Sequence, residues 1–206
     1  MKKESMLKKI AQKGYDVSYA ANLNFATYDI VSKFPSVVSF LSIAIGILGL
    51  VVPAFQLTWV SVSILIIGIL SLYVENFTVN KEEYGERGGK DTALLYRLKN
   101  LYFNVKDSQK EEEDYSEEEK EYEAIEKEFN ETACAKQILF ANWFAHYKLF
   151  VEKDVSWMDE QLHFGWWKDK VPGTAKVFML LVLIGLLILL LIYWNDIINT
   201  IVGWFN

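Results

Sequence analysis

Few residues in this chain are equipped for chemistry. Two histidines and one cysteine stand among 206 residues, beside 27 acidic and 21 basic side chains. His146 and His163 cannot make a three-histidine metal centre, and a lone Cys134 excludes both an internal disulfide framework and a multi-cysteine zinc site. His163 has Asp159 four residues earlier, which is one pair and no metal set. His146 lies beside Trp143 and Tyr147, where a helical histidine reads as a packed, hydrogen-bonded residue. Cys134 has no nucleophile apparatus around it. Residues 84–90, YGERGGK, are similar in composition to a phosphate loop. That motif needs four residues between its first glycine and the Gly-Lys pair, then Ser or Thr. Here three residues separate Gly85 from Gly89, and Asp91 follows Lys90. The segment reads as a glycine-rich turn, with Asp91 as the N-cap of the next helix. No paired-carboxylate, Ser-His-Asp or metal constellation emerges. The chain reads as a non-enzyme without a cofactor.

Charge is distributed very unevenly. Residues 107–131 hold thirteen acidic and three basic side chains, a net charge of −10 within a total of −6. Such a run is a solvated helix face or a flexible acidic linker. It offers no calcium loop, because the required ligand spacing and glycine are missing. Four basic residues just before it, Arg87, Lys90, Arg97 and Lys99, are candidates for holding an anionic nucleotide or anionic lipid.

The elements that position these residues are dominated by membrane spans. Three charge-free apolar runs occupy residues 37–52, 57–74 and 177–194. At about 1.5 Å per residue, 18 helical residues cover about 27 Å, close to the hydrocarbon core of a bilayer. The expected fold is all-α. A polytopic membrane protein is predicted, with a transmembrane hairpin (37–54 and 57–75), a helical region over 76–175, and a third span (176–194). Lysine and arginine set the direction. Six lysines lie in residues 1–36, none in the 53–56 turn, fifteen basic residues in 75–176 and none in 195–206. Positive charge resists translocation, so the N-terminus and central region are expected in the cytoplasm and the 195–206 tail outside, in a bacterial inner membrane. Residues 1–36 read as an amphipathic, lysine-bearing lead-in that lies on anionic lipid and turns into the membrane at Pro35. A capping box at Ser116 and Glu119 opens a long helix over about 116–151. Its stripe ends in a group of packing aromatics: Phe140, Trp143, Phe144, His146, Tyr147 and Phe150. Trp157, Trp166 and Trp167 in residues 156–168 suit the inner headgroup level.

Small residues mark the hairpin. Ser39, Ser42, Gly46 and Gly49 follow a 3-4-3 spacing on the first span, and Ser61, Gly68 and Ser71 lie on one stripe of the second. In lipid, helices associate through close backbone approach and hydroxyl hydrogen bonds, which small residues permit. The stripes either pack the hairpin against itself or, in an assembly of several hairpins, line a pore gated by wetting. No ionisable residue lies in any span, which disfavours a coupled transporter. The third span is leucine-rich with Gly185 as its small residue and reads as an anchor.

The lead-in, the tight two-span hairpin with small residues, the LLYRLKNLY helix (94–102) and the aromatic ANWFAHYKLF run (141–150) together resemble the SLATT domain. This is a two-span effector domain associated with second-messenger nucleotidyltransferases in bacterial conflict systems, and the resemblance covers roughly residues 5–153. It implies an oligomeric, pore-forming antiphage effector, switched on by a second-messenger nucleotide or a nearby sensor protein. The lipid bilayer and further copies of the chain are its expected partners, with no direct nucleic-acid binding. Two other readings fit the residues: a membrane-anchored scaffold that recruits a partner, and a small channel or ion-homeostasis subunit.

Overall fold

The computed structural model describes residues 2–109, 115–132 and 137–194, and the regular structure among them is helical throughout. Helix α1 spans Lys3–Val51, α2 Thr58–Glu75, α3 Lys81–Asp107, α4 Ser116–Thr132, α5 Ala141–Tyr147, α6 Ser156–Leu162 and α7 Gly173–Ile192. The parts of α1, α2 and α7 carrying the three apolar runs are long and apolar enough to cross a membrane. The chain divides into one unit over residues 1–164 and a second over 165–206.

Helix α1 is 49 residues long, about 74 Å at a rise of about 1.5 Å per residue. The chain does not turn at Pro35, which sits inside the helix. Proline removes one backbone donor, but both flanks hold the helix. On one side the chain is locked into a core; on the other, an apolar segment in lipid can satisfy its backbone only as a helix.

The first half of α1 departs from the expected surface-lying lead-in. Met6, Ile10, Ala11 and Val17 are fully buried. Together they form the inner wall of a helical bundle, packed with Leu94, Leu98, Leu101 and Val105 of α3, Tyr122 and Ile125 of α4, and Trp157 and Met158 of α6. The 3.6-residue apolar stripe that suits a membrane surface suits a protein core equally well.

Residues 84–90 form no turn. They lie within α3, and their glycines are contact points. A Cβ at Gly88 would stand 2.9 Å from the Phe25 ring, and one at Gly85 would touch the Tyr28 ring at 3.4 Å. Glycine costs about 1 kcal/mol relative to alanine inside a helix, and here it admits aromatic rings of α1 against the α3 backbone. Asp91, expected as an N-cap, is instead in mid-helix and buried, where its carboxylate accepts a hydrogen bond from Asn24 Nδ2 at 3.0 Å.

The single helix expected over 116–151 is two helices running in opposite directions. Lys9 pairs with Glu119 and Lys13 with Glu126, so α4 ascends alongside α1. His146 lies on Tyr19 and Phe150 on Tyr15, so α5 descends along it. The reversal requires a break, and Phe140 supplies part of it in the left-handed region at φ 67°. Ala133 and Cys134 fall outside the described residues, as do 110–114 of the acidic run and the 195–206 tail. A π-helical turn, Lys148–Glu152, extends α5.

The tryptophan segment also divides. Trp157 is core, with 4% exposure. Trp166 and Trp167 belong to the second unit, where they stack at 6.3 Å and are exposed. Within that unit Lys176 Nζ lies 5.7 Å from the Trp167 ring and donates a hydrogen bond to Lys168 O. Helix α7 follows, with no buried residue of its own.

Candidate functional site

The hairpin is built from the second half of α1, a short turn over Pro53–Phe55, and α2. Gln56 Nε2 reaches back to Gly49 O at 2.9 Å, satisfying a carbonyl at the α1 terminus. In the α1 span Val38 is buried and Ser42, Ala44, Ile45 and Gly49 are partly covered; on α2 Val60 and Val74 are buried and Ile64, Gly68 and Ser71 are partly covered. Ala44 apart, each set follows the three-to-four spacing of one helix face. The small-residue stripe expected on α1 therefore splits. Ser42 and Gly49 lie on the covered face, whereas Ser39 and Gly46 are exposed. On α2, Gly68 and Ser71 are partly covered and Ser61 is exposed. A Cβ added at Gly46 or Gly68 would meet nothing within 4 Å, and one at Gly49 would meet only Phe55 O at 3.8 Å. Ser39 Oγ bonds within its own helix, to Pro35 O. Within one chain these glycines are not needed for helix-helix contact.

At its bundle end the hairpin meets α5. Leu23, Ala26 and Val31 of α1 pack with Val74, Phe77, Ile138, Ala141 and Ala145 in a second apolar core. The tightest positions of α5 are its alanines and the following Leu149, all with 0% exposure. The aromatics singled out from the sequence lie around them: Trp143, Phe144, His146 and Phe150 are half-buried, while Phe140 and Tyr147 are exposed. His146 stacks on Phe150 at 5.8 Å and lies 5.1 Å from the Tyr19 ring, and Phe150 meets Phe164 edge-on at 5.3 Å. An ion cluster fastens the same joint. Asp29 accepts hydrogen bonds from Lys33 Nζ at 2.7 Å and Lys148 Nζ at 2.8 Å. Partial burial raises the Asp29 pKa, but the two lysines outweigh that and hold the carboxyl below its ordinary range. Lys148 also stands 4.6 Å from the Phe144 ring. Sequence reasoning missed Asp29; its signal was the pairing with Lys33 four residues on.

The four basic candidates do not converge. Arg87 pairs with Glu83 in its own helix, Arg97 with Glu128 of α4 at 2.6 Å, and Lys99 with Asp154 at 3.0 Å, while Lys90 is exposed. Lys99 does line a cavity of about 130 Å³ between α1, α3 and the segment before α6, together with Ser18, Asn22, Tyr96, Lys153 and Trp157. Asp154 organises its rim. Donors from Ser156 Oγ, Lys99 Nζ and the Ser156 backbone N–H lower its pKa to about 2. A carboxyl lowered on folding stabilises the fold above its unfolded pKa, and that contribution disappears as pH falls through the folded value. The thermal midpoint of Asp154→Asn is expected to lie below wild type at pH 7. The gap should close between about pH 4 and pH 2, measured by circular dichroism in detergent.

The amino-acid sequence matches a known two-span family. The model of SLATT_6, the SMODS and SLOG-associating 2TM effector domain 6, covers residues 1–179. The chain belongs to this family. No curated protein and no solved structure matches it. The SLATT_6 match takes in the whole bundle, the hairpin and the first turns of α7, so most of the third span lies beyond it. The family is a membrane effector domain and not a known enzyme family.

Proposed function

We propose that this SLATT_6 protein is a non-enzymatic effector of the bacterial cytoplasmic membrane, with the bundle inside the cell. It assembles with copies of itself and opens a pore when a partner or second-messenger signal reaches the bundle, in antiphage defence. The carrying observation is the continuity of α1: one helix holds the bundle core at Met6–Val31 and also forms the first span of the hairpin. A packed helix moves as a rigid element, so displacement of α5 or α6 against its first half is delivered to its second half. The hairpin is suited to the output. Its outward face carries no charge, and Gly46 and Gly68 leave backbone accessible to another helix. A lining of this composition gates by dewetting instead of by a charged filter.

Expression in a bacterium loaded with a potential-sensitive dye tests the reading. Induction together with the trigger is expected to collapse the membrane potential. An intact potential under triggered expression overturns pore formation and leaves the hairpin as an anchor for a recruiting bundle.

A further inference from the structure

An apolar cleft of about 260 Å³ opens where the hairpin joins the bundle. Ile30 and Phe34 of α1 form one wall, Leu70 and Tyr73 of α2 the second, and Ile138 and Phe140 of the α4–α5 connection the third. We propose that this cleft is a binding site for the end of a phospholipid acyl chain from the surrounding bilayer.

Three observations select that occupant. The lining is hydrocarbon and aromatic ring almost throughout, so a nucleotide or other polar ligand would lose its hydration without finding partners there. The cleft is continuous with the membrane surface: its α2 wall is the last turn and a half of an 18-residue span, and Leu70 and Tyr73 are themselves 46% and 40% exposed on that span. A chain would enter from the hydrocarbon along the α2 wall. Size agrees, since an apolar protein cavity of about 150 Å³ stays dry and accepts benzene, and this cleft is larger.

Phe140 fits the same role. It holds a left-handed backbone at φ 67°, which a non-glycine residue adopts only when its surroundings impose it. Its ring is half-exposed, edge-on to Trp143 at 5.1 Å, at the cleft wall. An acyl chain beneath it gives that ring an apolar partner. The chain would bridge α1, α2 and the start of α5, the three elements that meet at the joint. The assignment requires membrane insertion and does not depend on pore formation.

The test uses the full chain in nanodiscs of phosphatidylethanolamine and phosphatidylglycerol, doped with a phospholipid carrying a diazirine at the end of one acyl chain. After photolysis, lipid adducts mapped by mass spectrometry are expected at Ile30 and Ile138 as well as on the outward residues Phe40 and Ile43. Leu70→Trp, which fills the cleft, is expected to abolish the first pair and leave the second. Ile30→Phe serves the same purpose should Leu70→Trp unfold, as judged by its melting curve. Adducts confined to Phe40 and Ile43 in wild type overturn the site. So do cleft adducts that survive the filling variant, and cross-links from the cleft to a second copy of the chain. Ion leak from liposomes, measured separately, reports on the pore and not on this pocket.

Discussion

Trp157→Ala is expected to lower stability by about 3–5 kcal/mol, the range for removing a buried aromatic side chain. The Trp157 ring is 4% exposed, lies 5.2 Å from the Tyr102 ring, and rests directly on Gly14. It thus joins α6 to α3 and α1 at once. For a chain of this size each kcal/mol moves the thermal midpoint by about 2–4 °C, so a fall of roughly 10 °C is expected in detergent. The companion change makes the test specific. Gly14→Ala should help a helix by about 1 kcal/mol on propensity alone. A Cβ there would be driven into the Trp157 ring, and overpacking costs about 1–3 kcal/mol. Gly14→Ala is therefore expected to destabilise wild type yet stabilise the Trp157→Ala background. A change of sign within the double-mutant cycle identifies the contact; the same sign in both backgrounds refutes it.

This glycine also shows where sequence reading reaches its limit. The spans were legible because exclusion of charge over some 18 residues is imposed by the bilayer itself and needs no tertiary partner. The all-α class and the SLATT resemblance followed from the same layout, and the family match over residues 1–179 agrees. The bundle was harder to see. Gly85, Gly88 and Gly89 are locally the composition of a turn, and only the Phe25 and Tyr28 rings some sixty residues earlier make two of them helix-contact glycines. The apolar stripe runs from Tyr122 to Val151 at nearly constant helical period, so periodicity alone could not reveal that α4 and α5 run in opposite directions along α1. The lysines of the lead-in had the same ambiguity. Lys9 and Lys13 suit anionic lipid, and they equally suit Glu119 and Glu126 of the acidic helix. The acidic run from 107 to 131 is thus in part the counter-surface of α1. Surface pairs of this kind contribute little stability singly, but they select which helix α1 lies beside.

Gly46→Leu and Gly68→Leu are expected to abolish triggered depolarisation while leaving the folded chain as stable as wild type. The two halves of that expectation come from different observations. A Cβ at either glycine would meet no atom of another element within 4 Å, and leucine is the better helix former. A thermal midpoint equal to or slightly above wild type should follow. Association in lipid, by contrast, depends on backbone approach, and a leucine separates two helices by the width of a side chain. Potential-dye measurements should then read like cells carrying an empty vector, and chemical cross-linking of membranes should lose the multimer bands seen with wild type. Gly46→Ala, adding one methyl, should retain intermediate activity. Ser61→Leu extends the test to the exposed face of α2. Should both leucine variants depolarise the membrane normally, the small-residue faces are not where copies meet, and the outward Phe40, Ile43 and Ile47 ridge becomes the surface to examine. Should Gly46→Leu lose stability instead, exposed Gly46 contacts a helix of another copy even at rest, and the resting state is already an oligomer.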